Sequence, residues 1–223
     1  MDTVAAPTPS VIGHDFFERA RARLRLEVPA ALHDLAAPAT RGDLDLDPRL
    51  WERAGVAATR PAAVLVPVVD RAEPTVLLTQ RTADLPSHAG QVAFPGGSID
   101  ASDATPAAAA MREANEEVGL ADNLIEPIGY LDLYLTFTGF RILPTVARIA
   151  PDYHLTINPS EVADAFEVPL AFLMDVQNHA LHSRDWRDKG VVRRYYAMPF
   201  GERYIWGVTA GILRNLYERL YGA

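Results

Sequence analysis

Apolar positions recur along this chain with two periods, and the switches between them divide it into elements. From His14 to about Leu26, Phe16, Phe17, Ala20 and Leu24 return at helical spacing, with Arg19, Arg21, Arg23 and Arg25 between them. This predicts an amphipathic helix with a solvated arginine face. Residues 34–60 lose the period and fill with Asp, Pro, Ala and Gly, a loop with one short helical turn around Pro48 to Ala54. At Pro61 the pattern changes. Ala62 to Val69 and Val76 to Thr79 are apolar, β-branched runs separated by the turn residues Arg71 to Pro74, which reads as a hairpin. Residues 82–106 carry Pro86, Gly90, Pro95, Gly96, Gly97 and Pro106, a loop interrupted by a short strand. Ala107 to Val118 is a strong helix former, with Pro106 suited to its first turn and Gly119 to its stop.

The second half alternates again. Ile125 to Leu135 and Ile142 to Ile149 read as strands, Pro169 to Asp175 as a short helix, and Val191 to Met198 with Tyr204 to Trp206 as a late hairpin. Ile212, Leu213, Leu216 and Leu220 return at helical spacing, so Gly207 to Tyr221 is expected to be a closing helix. Strands outnumber helices and the helices flank them, which predicts an α/β fold with a sheet sandwiched between helices. Residues 1–13, with Pro7, Pro9 and Gly13 and little periodicity, are expected to be a flexible tail. The expected organisation is this tail, a helix-and-loop extension over 14–60, and the main domain over 61–223.

Composition narrows the class. The 223 residues are 49% hydrophobic, enough for one sizeable core, and the formal charge is −8. An acidic chain does not favour non-specific nucleic-acid binding and offers no polybasic membrane anchor. No apolar run approaches the ~20 residues of a membrane span. The start of the chain carries Asp2 and Asp15 and no apolar stretch behind a basic one, so a cytoplasmic location is expected. Cysteine is absent, which removes disulfides, thiolate metal sites and thiol nucleophiles.

One stretch carries chemistry. In Arg112-Glu113-Ala114-Asn115-Glu116-Glu117-Val118-Gly119-Leu120, the glutamates stand at i, i+3 and i+4 of the expected helix and share one face. Like charges at that spacing repel, and the C-terminal end of the helix dipole disfavours them further. A hard divalent cation such as Mg²⁺ would relieve the conflict; a solvated acidic face is the alternative. Ahead of the helix, Gly96 and Gly97 leave a backbone without side-chain bulk, open to close approach of a phosphate or a metal, or simply to a turn.

Together these residues resemble the Nudix box. Arg112 to Leu120 match its second half throughout. In the first half Asp103 stands where the family has Glu after Gly97, one residue further from Arg112 than the strict spacing; Ala104, at that spacing, has no carboxylate. Upstream, Leu77-Leu78-Thr79-Gln80-Arg81-Thr82-Ala83, Gly90 and Phe94-Pro95-Gly96-Gly97 are similar to the signature of the coenzyme A pyrophosphatase branch, except that Pro86 replaces its second arginine. Asn158-Pro159-Ser160-Glu161-Val162 and Ile205 to Ala210 look like later segments of that branch.

The resemblance implies a Nudix-type α/β/α sandwich with a mixed central sheet, and hydrolysis of a diphosphate with Mg²⁺ or Mn²⁺. For coenzyme A or its acyl derivatives the products would be 3′,5′-ADP and (acyl-)4′-phosphopantetheine. It implies Glu113 and Glu117 as metal ligands and Glu116 as a third ligand or the base. Arg112, pointing away from the metal side, would orient Glu113. Glu161 is the other candidate base. Arg81, Gly90, Phe94, Gly96, Gly97 and Arg141 would bind substrate. Arg184, Arg187, Arg193 and Arg194 are candidates for a 3′-phosphate, and Phe137, Phe140, Tyr195 and Tyr196 for stacking an adenine, each with a purely structural alternative. The implied partner is a small nucleotide diphosphate, with no nucleic acid and no membrane; a homodimer stays open. Hydrolysis of ADP-ribose or of an oxidised nucleotide is the neighbouring alternative, and a non-catalytic ligand-binding module is the more distant one.

Overall fold

The computed structural model describes residues 15–34, 41–43, 45–46, 60–85, 88–186 and 191–222. In chain order the elements are α1 (Phe16–Arg23), β1 (Arg41–Gly42), β2 (Arg60–Val69), β3 (Thr75–Arg81), β4 (Val92–Ala93), β5 (Gly96–Ser98), α2 (Pro106–Val118), β6 (Ile125–Tyr130), β7 (Tyr134–Leu135), β8 (Phe140–Ile149), β9 (Val162–Pro169), α3 (Leu170–Met174), β10 (Ala180–Trp186), β11 (Val191–Phe200), β12 (Arg203–Trp206) and α4 (Val208–Leu220). The expected tail over 1–13, His14 and the turn at Pro48 to Ala54 lie outside the described residues.

The β-branched run beginning at Pro61 becomes the centre of a mixed sheet. β2 pairs in parallel with β8 from Arg60↔Phe140 to Val69↔Ile149. Because both faces of this strand are covered, it is apolar on both. Ala63, Leu65 and Val69 pack under α2, while Val64, Val66 and Val68 pack with α1, α3 and α4. Two main cores, one on each sheet face, with a smaller cluster of Leu32, Ala107, Tyr130, Leu133 and Leu143 beside them, make the α/β/α layering expected from the sequence. α1 buries Phe16 and Ala20 in the core that α4 closes.

The other edge of β2 is split, and the split positions the site. β3 pairs with β2 only at Val68↔Val76 and Val69↔Thr75, next to the turn. It then diverges and continues antiparallel with β9 and β4. The opening is filled by the stretch after β4: Leu65 N donates to Pro95 O at 2.8 Å, and Gly96–Ser98 pairs with Ala62–Val64. Strands β10, β11 and β12 form a separate antiparallel sheet. Among the described residues no helix is long and apolar enough to cross a membrane.

Several expectations change. The first helix ends at Arg23, short of Leu26: Leu24 is extended, and Arg25 bridges to Tyr130 of β6. The strand expected over Ile125 to Leu135 is two, β6 and β7, both paired with β8. The pairing is irregular between Pro127, which has no N–H to give, and Gly129, and Leu131 and Leu133 turn into the cores between them. The loop over 82–106 holds two short strands. β9 and β10 are strands where none was expected; Asp164 and Glu167 interrupt the apolar pattern of the first, and the second is exposed over most of its length.

Candidate active site

α2 forms because its ends are well capped and its face is small. Thr105 accepts from Ala108 N at 3.1 Å, Pro106 occupies the first turn, and Gly119 closes the helix in the left-handed region at φ 70°. Ala109, Ala110 and Ala114 are fully buried, so the helix lies close on β2 and β5. Its three glutamates share a side, but burial separates them. The Glu117 side chain is 3% exposed, Glu113 17% and Glu116 55%, so the pattern is graded from core to solvent.

Glu117 is the buried end. Burial pushes its carboxyl up to about 8; Arg81 opposes this, Glu113 and Glu161 add to it, and the Gly96 amide opposes it weakly. An Arg81 terminal nitrogen stands 3.9 Å from Glu117 Oε1. Glu117 Oε2 and Arg81 Nε are both buried without a hydrogen-bond partner. The Glu113 carboxyl is also raised, chiefly by burial, against the pull of Arg112. It lies against the backbone of Gly97, where a Cβ would come within 2.5 Å of Glu113 Cδ.

Arg112 folds back over this side of the helix, where the sequence had placed it pointing away. It donates to both Asp103 oxygens at 3.1 Å, to Glu113 Oε1 at 3.0 Å, to Glu116 Oε2 at 3.1 Å and to Ser98 O at 3.2 Å. Its hydrogen bonds hold the buried Asp103 carboxyl below its ordinary range. The acidic position before the helix is therefore filled in space by Asp103, and the extra residue in the spacing is taken up in the turn over 100–103, where Asp100 N donates to Asp103 at 2.8 Å.

Glu161 arrives from the other side. The strap before β9 docks on the end of α2: Thr156 N donates to Val118 O at 2.8 Å and Asn158 N to Glu117 O at 2.9 Å. Asn158 Nδ2 donates to Glu161 Oε1 at 3.3 Å, and Thr82 N to Glu161 O at 3.0 Å. Glu161 thereby stands near enough to raise both Glu113 and Glu117. Asn158 was visible in the sequence only as part of a motif; its double role, on α2 and on Glu161, depends on where the strap docks.

Other candidates lie elsewhere. Arg141 was expected on phosphate, but it is buried and donates to the carbonyls of Ala31 and Asp34 (3.1 Å to the latter), anchoring the turn after α1. Phe94, expected on substrate, is 5% exposed and packs in the α4-side core. Gly90 sits exposed at φ 68° with open space around it, which the loop backbone explains without a ligand. Phe140 lies under the Arg60 guanidinium at 4.0 Å, Tyr196 under that of Arg214, and Tyr195 contacts His182 and Trp206. Arg193 pairs with Asp43 at 2.8 Å, while Arg184 and Arg194 are exposed. Pro86 and Arg187 lie outside the described residues.

Among the described residues no set of three or more His, Asp or Glu side chains is already placed to hold an ion. The donor set nonetheless suits a hard divalent cation. Burial raises the Glu113 and Glu117 carboxyls, the charge of Glu161 adds to both, all three offer oxygen, and one oxygen of Glu117 is buried without a partner.

A family model described as NUDIX domain matches residues 59–194. A relative from Citrobacter koseri, "Uncharacterized Nudix hydrolase NudL", is 46% identical over 157 residues, covering 70% of this chain and 81% of that protein. The protein of the same name from Escherichia coli (strain K12) is 43% identical over 70% and 81% of the two chains. A solved NUDIX hydrolase from Alicyclobacillus acidocaldarius is 20% identical, with a TM-score of 0.44 over 71% of this chain and 90% of that one.

Proposed function

This chain belongs to the Nudix hydrolase family, and from that premise we propose that it hydrolyses the diphosphate of coenzyme A or acyl-coenzyme A to 3′,5′-ADP and (acyl-)4′-phosphopantetheine, using Mg²⁺ or Mn²⁺. The observation that carries the catalytic part is the buried Glu117 oxygen without a partner, inside a group of mutually repelling carboxylates. An acid so placed costs stability unless a cation joins it. When bound, the cation would neutralise charge on the phosphate oxygens and make a water more acidic. Glu113 and Glu117 would hold it, with the exposed Glu116 available as a further ligand. Arg112 fixes Glu113 and Glu116 through its hydrogen bonds, leaving their other oxygens to turn inward.

Glu161, oriented by Asn158, takes the proton of the attacking water as its oxygen bonds to phosphorus and the bridging P–O bond breaks. Glu116 is the second candidate for that proton. Arg81 offers the phosphates a planar fork. Gly96 lets β5 close on β2, and Gly97 leaves space for the Glu113 carboxyl. The coenzyme A assignment is supported by the signature from Leu77 to Gly97 ahead of the box.

The test is a set of parallel assays of coenzyme A, dephospho-coenzyme A, ADP-ribose, NADH and 8-oxo-dGTP with Mg²⁺ or Mn²⁺. The highest kcat/KM is expected for coenzyme A, above its dephospho form. A preference for ADP-ribose or 8-oxo-dGTP would overturn the substrate while leaving the hydrolase, and no cleavage of any of them would overturn catalysis.

A further inference from the structure

β3 and β9 pair in register from Thr75↔Pro169 to Gln80↔Asp164, and then Arg81 faces Val162. Ala163 is thus the extra residue of a bulge on β9. One extra residue reverses the face that each following side chain takes. The effect is visible in the packing: Phe166 and Val168 lie in the α4-side core, whereas Val162, with the same parity, lies in the α2-side core. On an unbulged strand residue 162 would face the other core, and the turn before it would meet β3 one residue further along. Past the bulge Arg81 faces Val162 and Thr82 N donates to Glu161 O at 3.0 Å, so the position of the bulge sets where the Glu161 backbone docks along β3, beside Arg81.

A bulge interrupts the ladder, so its position needs a further constraint. That constraint comes from outside the sheet. Arg203, on β12, donates one guanidinium nitrogen to Gln80 Oε1 and another to Asp164 Oδ2. Gln80 and Asp164 are the last partners in register before the bulge. The guanidinium carbon lies 4.4 Å from the centre of the Phe166 ring, and Gln80 Nε2 in turn donates to Gly90 O at 3.3 Å. The Asp164 side chain is 44% exposed, and a surface ion pair of this kind contributes little to folding. Its consequence therefore lies in geometry more than in stability.

We propose that Arg203 is a positioning residue for the hydrolysis described above: by tying Gln80 to Asp164 it fixes where the bulge falls, and so aims Arg81 and Glu161 at Glu117. The proposal rests on that reading of the site, and its test separates the two.

Arg203→Met keeps the stem over Phe166 and removes the fork; Arg203→Lys keeps a charge for Asp164 without the planar bridge to Gln80. With coenzyme A, kcat is expected to fall at least about tenfold in Arg203→Met, as small misplacements at a reacting centre do, with KM within about twofold, the lysine variant intermediate and the melting temperature within about 2 °C. Unchanged kcat, or a loss matched by an equal loss of folded protein, overturns the proposal. If the wild-type protein does not cleave coenzyme A, the function proposed above fails, and hydrogen exchange then decides this inference alone. The amides of Arg81 and Thr82, which donate to Gln91 O and Glu161 O, are expected to exchange about tenfold faster in Arg203→Met while those of α2 do not change. Equal exchange at those amides in both proteins overturns it.

Discussion

At Glu117 burial and charge conflict, and two measurements on one substitution expose it. The free carboxyl titrates at 4.5 and the folded one at about 8. Between those values the folded chain keeps a proton that the unfolded chain has lost, so metal-free stability falls as pH rises through that window. Glu117→Gln removes the conflict. In EDTA, its melting temperature is expected to fall less between pH 5 and 8 than that of the wild type, with the variant ahead at pH 8 by roughly 2–4 kcal/mol. In Mg²⁺ its turnover is expected to drop by about two orders of magnitude or more, because an amide is a poor ligand for a hard cation. Parallel melting curves across pH would show that the carboxyl is not strained. Arg81 gives a second test. Its neighbour is Glu117, and its Nε is buried without a partner. Arg81→Lys keeps the charge beside Glu117 and loses the fork. It is expected to lower kcat/KM for coenzyme A about tenfold, roughly 1.4 kcal/mol, with stability nearly unchanged. An unaltered kcat/KM would return Arg81 to a purely structural role.

At the scale of elements, the two glycines of β5 do different work. A Cβ on Gly96 would meet Ala63 O at 2.5 Å and Val64 Cα at 2.6 Å, both backbone atoms of β2. The nearest atoms to a Cβ on Gly97 would be the end of the Glu113 side chain, which can move. Gly96→Ala is therefore expected to lower stability by about 2 kcal/mol or more, through a forced shift of β5 from β2. Gly97→Ala is expected to melt close to the wild type yet lose at least about tenfold in kcat, because Glu113 is displaced. Thermal melts and kinetics on both variants check the split; a destabilised but fully active Gly97→Ala would remove Glu113 from the reaction. The sequence showed the double glycine and allowed either a turn or a close approach. Which atoms approach depends on β5 entering the gap where β2 and β3 part. The same limit hid β9: its acidic residues break the apolar alternation, and Asp164 faces Arg203, far along the chain.

Over the whole molecule, two carboxyls set opposite pH slopes. Glu167 on β9 takes two hydrogen bonds from Arg71 at 2.8 and 2.6 Å, one from Tyr153 at 2.7 Å and one from Thr75, joining the β2–β3 turn to the far edge of β3. The Arg71 hydrogen bonds, helped by those of Thr75 and Tyr153, hold it at about 2. Its contribution is present above its ordinary 4.5 and is lost as pH falls toward 2, the reverse of Glu117. Metal-free protein is thus expected to be most stable in weak acid, with Glu167→Gln flattening the acid limb. Mg²⁺ is expected to raise the melting temperature more at pH 8 than at pH 5.5, since its ligands must be ionised. An equal rise at both pH values would place the ion away from Glu117. The sequence by itself determined what is local: the hairpin of β2 and β3, the caps of α2, the shared side of Glu113, Glu116 and Glu117, and the family box, all of which depend on periods of two or 3.6 residues and on neighbours a few positions apart. Only the tertiary structure decided which glutamate is buried, that Asp103 and not Ala104 meets Arg112, that Arg141 holds the carbonyls of Ala31 and Asp34 while Phe94 lies in a core, and that Arg203 bridges Gln80 and Asp164 beside the bulge of β9. Burial and electrostatic strain are set by what other segments bring to a side chain, and the spacing of residues along one segment does not contain that.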